Sequence, residues 1–118
     1  MKDLAPRIVR ECLLTEGFFT IKVNEKVIGN YFNEITKNLG LKTYGKPIIF
    51  SPEGLGKKEN RGYDAFEPLI DPGISRYARS HARFLSCIIY SCKSFRKEKA
   101  IAFTRKFVKM DEVAACPF

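Results

Sequence analysis

Asp71–Cys92, DPGISRYARSHARFLSCIIYSC, is the stretch on which the reading of the chain turns. It reads as a β-hairpin, with Ile74–Arg79 as a short strand, Ser80–Arg83 as the turn and Phe84–Cys92 as a second strand. The second strand is dense in β-branched and aromatic residues and has no Gly or Pro, as a central strand requires. Pro72 has no N–H to give a ladder and belongs at a strand start or a sheet edge. Gly73 behind it permits an unusual turn. Cys87 and Cys92 are an odd number of positions apart, so on one strand they face opposite sides and cannot pair or share a metal. Arg76, Arg79, His81 and Arg83 gather around the turn. They are expected to project into solvent as an anion or partner contact.

Working outward, Met1–Pro6 is a loose lead-in and Arg10–Phe19 reads as a first strand, its core Leu13, Leu14, Phe18 and Phe19, with Gly17 marking a bulge. Asn24 is a helix N-cap. After it Val27, Ile28, Tyr31, Phe32, Ile35 and Leu39 recur at helical spacing, and Gly40 sits where a C-terminal cap ends the helix. Lys42–Phe50 reads as a second strand, Ser51–Gly62 as a loop and Tyr63–Ile70 as a third strand. Ser94 caps a second helix, Arg96–Lys109, with a basic outer face, and Glu112–Phe118 is a last short strand. This order predicts one domain, residues 1–118, of the α+β class: a two-layer sandwich with a mainly antiparallel sheet and both helices on one face.

The chain has 118 residues, enough for one core, and a net charge of +8. No apolar run reaches the length of a membrane span, and the first residues, MKDLAPRIVRE, lack the apolar segment of a signal peptide, so a cytoplasmic protein with no membrane partner is expected. Four cysteines without a CxxC pair and a single His argue against a zinc site, and no metal is expected. Cys12 and Cys87 read as buried reduced thiols. The positive charge permits nucleic-acid binding. The chain lacks the aromatic-basic signature of an RRM, however, and its strand aromatics are assigned to the core, which disfavours nucleic acid. Gly54 and Gly56 do not have the spacing of a nucleotide-binding loop.

Two runs carry a resemblance. In the hairpin the pattern of an acid at Asp71, a turn over Arg79, Ser80 and His81, and a strand ending Tyr90-Ser91-Cys92 resembles the small prokaryotic S-adenosylmethionine decarboxylases. Phe50-Ser51-Pro52-Glu53-Gly54 matches that family's FxPxG run at the end of a strand, though the loop here is longer. The resemblance implies Cys92 at the position of the proton donor, Phe50 beside the adenine of an S-adenosylmethionine-like ligand, and a dimer with its site near the subunit contact. It also implies a pyruvoyl cofactor made by self-cleavage. A serine hydroxyl attacks the preceding acid's carbonyl, and elimination and hydrolysis leave a ketone that holds the substrate amine as an electron sink. Here the serine position is Pro72, with neither hydroxyl nor N–H, and the histidine that assists processing is Tyr77. Ser75 lies an odd number of positions further along and points to the other face.

The expected function is therefore that of a divergent, non-self-processing and non-catalytic member of that family. It would have no cofactor and bind a nucleoside-type ligand or a partner subunit, as a homodimer or with a paralogue. An active decarboxylase in polyamine synthesis and a small basic nucleic-acid-binding module are the alternatives. Without a nucleophile at Pro72, the purified chain should keep its full mass. Intact mass spectrometry checks this, and two fragments split before residue 72, one carrying a keto group, would overturn the non-processing reading.

Overall fold

The structure is a computed structural model and describes residues 4, 6–50, 62–70, 73–79 and 83–117. In chain order the elements are β1 (Glu11–Phe19), α1 (Glu25–Leu39), β2 (Ile48–Phe50), β3 (Gly62–Pro68), β4 (Gly73–Arg79), β5 (Phe84–Ser91), α2 (Lys97–Phe107) and β6 (Met110–Pro117). The strands form one antiparallel sheet in the order β2-β3-β4-β5-β1-β6, and the helices lie together on one face. This is the α+β two-layer sandwich that the sequence predicts.

The local signals explain why these segments fold as they do. The Asn24 side chain accepts a hydrogen bond from the Val27 N–H at 2.9 Å, and Glu25 and Lys37 sit at the ends of α1 that their charges favour. Gly40 adopts the left-handed conformation at φ 67°, which lets Leu41 N–H reach the Thr36 carbonyl at 2.9 Å and closes the helix. The apolar stripe Ile28, Tyr31, Phe32 and Ile35 is then buried against the sheet. The hairpin pairs Gly73 with Tyr90 through to Arg79 with Phe84, which sends Ile74 and Ala78 of β4 and Leu85, Cys87 and Ile89 of β5 into the core.

Three local expectations change. Lys42–Phe50 contributes only three residues to the sheet, because Gly45 turns to φ 86° and Pro47 offers no N–H; Thr43 makes an isolated bridge to Leu69. Ser94 does not cap α2. The cap residue is Arg96 and makes no side-chain cap bond, while the Ser94 hydroxyl donates to Glu11 of β1 at 3.3 Å. Glu11 also accepts from the Phe95 N–H and from Lys97 Nζ, and these contacts, Lys97 foremost, hold its carboxyl below the usual carboxylate range. The entry to α2 is thus tied to the neighbouring strand rather than capped from within. The last strand starts earlier than expected, at Met110, and lies on the free edge of the sheet.

Gly17 lies next to the register shift between Phe18 and Phe19 in the β1–β6 ladder. A Cβ there would run into the carbonyl oxygen of Glu112 and crowd Met110 Sδ at 3.1 Å. Gly17→Ala should therefore cost about 1–3 kcal/mol, the usual range for overpacking. Thermal denaturation followed by circular dichroism measures it, and an unchanged midpoint would show that β6 can move aside.

Candidate functional site

The helices leave one face of the sheet uncovered, and the strand alternation decides what lies on it. Phe50, Asp64, Tyr77, Ser86 and Glu16 form a row across that face, one from each of five strands. Phe18, Phe66 and Tyr90 share the face and are, like Tyr77, more than a third exposed. Phe18 and Phe84 meet edge to face, with ring centroids 5.3 Å apart. The polar groups are paired among themselves: Arg79 Nη1 donates to Asp64 at 2.7 Å and Ser86 Oγ donates to Glu16 at 2.6 Å. No lysine lies in any of the six strands, although the chain carries a net charge of +8.

Among the described residues, the positions singled out in the sequence are spread over β2, β4 and the ends of β5. Asp71, Pro72 and His81 lie outside the described residues. Cys92 follows the end of β5, in a turn fixed by Ser91, whose hydroxyl donates to the Lys93 carbonyl and accepts from the Lys93 N–H. It is half-buried, and Cys12, paired in register with Tyr90, lies near it. Burial pushes the Cys12 thiol up, with Cys92 adding to the effect and Arg10 and Lys97 opposing it. Phe50 is on the short β2, 64% exposed. From the register, Cys92 lies six residues along and three strands across from Phe50, about 25 Å away at the usual strand spacings. One nucleoside cannot touch both within a single chain.

The basic cluster at the hairpin dissolves. Arg76 is fully buried, on the helix side of the sheet; Arg79 is committed to Asp64; Arg83 is exposed, in the left-handed region at φ 54°. The signal that separates Arg76 from Arg79 was present in the sequence, since an odd spacing on one strand means opposite faces. The strand aromatics also differ from expectation: Phe18, Phe66, Tyr77 and Tyr90 are not in the core.

Arg76 belongs to a buried polar group beneath the helices. Its guanidinium lies 4.1 Å from the centre of the Tyr31 ring, and among the described residues none of its three nitrogens has a hydrogen-bond partner. The Tyr31 hydroxyl bonds to Thr104 Oγ1 at 2.7 Å and to Cys87 Sγ at 3.2 Å. Burial pushes the Tyr31 hydroxyl and the Cys87 thiol up, so both stay protonated, and it lowers the Arg76 pKa. On the next strand Glu67 is buried with Oε2 unpartnered, and burial pushes its carboxyl up. Among the described residues no cluster of three His, Cys, Asp or Glu is placed to hold a metal, and no helix is long and apolar enough to cross a membrane.

No family model and no curated protein matches the sequence. Among solved structures the chain is similar to the adenosylmethionine decarboxylase from Aquifex aeolicus VF5, with a TM-score of 0.77 over 94% of this chain and 89% of that one. Identity is 11%, so the likeness is one of fold: this chain has an S-adenosylmethionine decarboxylase-like fold.

Glu67, whose only perturbation is its own burial, offers a separate check on the cost of a buried carboxyl. Its carboxyl binds a proton more tightly folded than unfolded, so its contribution is most favourable at low pH and is lost as pH rises through the folded pKa. Glu67→Gln should accordingly raise the melting midpoint at neutral pH, and the gain should shrink as pH falls towards about 4. Melting curves across pH test this; a variant less stable than the parent at neutral pH would mean that the carboxylate is satisfied.

Proposed function

We propose that this chain is a non-self-processing protein of the S-adenosylmethionine decarboxylase fold that works as a partner subunit, its open sheet face closed by the sheet of a second chain of the same fold. The observation that carries this is the composition of that face. Aromatic side chains stand on it, its Asp64 is paired with Arg79 and its Glu16 is hydrogen-bonded by Ser86, and lysine is absent from every strand of a strongly basic chain. Enrichment in Phe and Tyr with depletion of Lys is the signature of a buried protein interface. Two sheets packed face to face would bury these rings at a spacing of about 10 Å.

The same closure bears on ligand binding. Phe50 and Cys92 are too far apart in one chain to share an S-adenosylmethionine-like molecule, so such a site needs residues from both sheets. A homodimer or a pairing with a self-processing paralogue supplies them. With Pro72 and Tyr77 at the processing positions, the paired chain contributes surface rather than a pyruvoyl group. A nucleic-acid role for this face is disfavoured because the six strands hold six carboxylates and only Arg76 and Arg79 as cations, and Arg76 is buried.

Analytical ultracentrifugation tests the reading. The parent chain should sediment at twice its mass, or at the mass of a heterodimer when mixed with a self-processing decarboxylase subunit. Phe66→Lys with Tyr77→Lys should give a monomer with an unchanged circular dichroism spectrum, since both side chains are on the open face. A parent chain that stays monomeric alone and in the mixture would sink the proposal.

A further inference from the structure

The opposite side of the molecule carries a second surface, of different chemistry. Helix α2 presents Lys99, Ala102, Arg105 and Lys106 to solvent, with Lys109 just beyond its end, while Ala100, Thr104 and Val108 face the core. Two troughs flank the helix. One, of about 680 Å³, lies between α2 and β6, with Ile101, Met110 and Val113 forming its apolar floor. The other, of about 620 Å³, is lined by Phe103 and Phe107 of α2 and by Asn38 of α1, and its two phenyl rings stack at 5.6 Å. Ala102 and Lys106 line both, so the troughs meet over Ala102 as over a saddle. Glu98 is the acid on the α2–β6 rim. Among the described residues Lys99, Arg105, Lys106 and Lys109 form no ion pair.

We infer that this surface docks an acidic amphipathic helix of a partner protein, laid across α2 at Ala102. Charge complementarity argues for the acid: four cations rim the troughs, and only Glu98 opposes them. The relief argues for a helix rather than a membrane. Among the described residues no large apolar side chain of either helix is exposed, so nothing protrudes to insert into lipid. The apolar atoms are recessed and must be filled by side chains reaching inward. Phosphate-rich nucleic acid would meet the cations but leave both troughs empty. A helix is about 10 Å across, so troughs on its two sides call for apolar anchors about two turns apart, positions i and i+7, with carboxylates between them. Alanine at the crossing point lets the partner helix approach closely.

The test uses the full chain and a fluorescein-labelled synthetic peptide of about 18 residues, long enough to hold helix, with Leu at i, i+3 and i+7 and Glu on the other face. Fluorescence anisotropy should report saturable binding that fails when the leucines are replaced by serine. Ala102→Arg is the deciding variant. It keeps a good helix former at an exposed site and adds a cation, but fills the saddle. The inference expects it to weaken binding about tenfold or more. Purely electrostatic attachment expects binding as tight or tighter, and that result would overturn the inference. Lys99→Glu with Lys106→Glu should weaken binding by a similar factor; no loss there overturns it too, as does absence of any binding to the parent chain. Competition by phosphatidylserine vesicles or single-stranded DNA against Ala102→Arg and parent alike would assign the surface to those polyanions instead. None of these outcomes depends on the association of the open sheet face.

Discussion

A sheet has two faces, and this chain has helices for one of them. Six strands at about 4.8 Å span about 24 Å, while two helices of about 10 Å diameter cover roughly 20 Å. The helix side is accordingly sealed, with Ile28, Tyr31, Phe32 and Ile35 of α1 and Ala100 and Thr104 of α2 buried. Nothing in the described chain remains to cover the other side. Because side chains alternate strictly along a strand, every residue sent inward places its neighbour on the open face. In β5, Leu85, Cys87 and Ile89 go to the core, so Phe84, Ile88 and Tyr90 go outward. A strand that is apolar on both sides has the pattern of one held between two layers. In the reading proposed above that second layer comes from another molecule, which is how the open face would bear on function while the helix packing bears on stability.

The core beneath the helices contains the least comfortable interaction in the fold. A guanidinium stacked on a phenol ring, away from water, gains about 2 kcal/mol. Burying the cation without hydrogen-bond partners costs several kcal/mol. Arg76 therefore weakens the region where α1, α2, β4 and β5 meet, although Tyr31 is itself well anchored through Thr104 and Cys87. The arrangement is held by its surroundings: Ile74 and Ala78 flank Arg76 on its strand and are fully buried, and the strand pairs on both sides. Backbone pairing and apolar packing fix the position, and the arginine accepts it.

Much of the fold was legible because its signals are local. Asn24 and Gly40 mark both ends of α1, and the run of β-branched and aromatic residues after Arg83 marks β5, so the elements can be placed without knowing their neighbours. The sides of the strands were harder. β4 offers Ile74, Arg76 and Ala78 on one side and Ser75, Tyr77 and Arg79 on the other, and polarity does not choose between them. Only the pairing to β5 does, and it puts a cation inward. The resemblance located Cys92 and Phe50 correctly at strand ends but could not give their separation, which depends on the sheet order. Ser94 failed as a cap because a partner far away in sequence, Glu11, takes its hydroxyl.

The distribution of charge then joins the two surfaces into one argument. Lysines that a uniform surface would spread over the molecule are confined to the helices and loops, and the strands hold six carboxylates against two arginines. Such polarity costs little in folding, because exposed like charges on a helix face repel by only about 0.2–0.5 kcal/mol per pair. It does decide encounters. An acidic partner is drawn to the α2 side and finds recessed apolar ground there. Two chains of the same fold, each basic on its helix side, keep their lysines apart when the two sheets face each other. Charge thus disfavours helix side against helix side, and in the proposed pairing the burial of Phe18, Phe66, Tyr77 and Tyr90 would supply the affinity that charge alone does not.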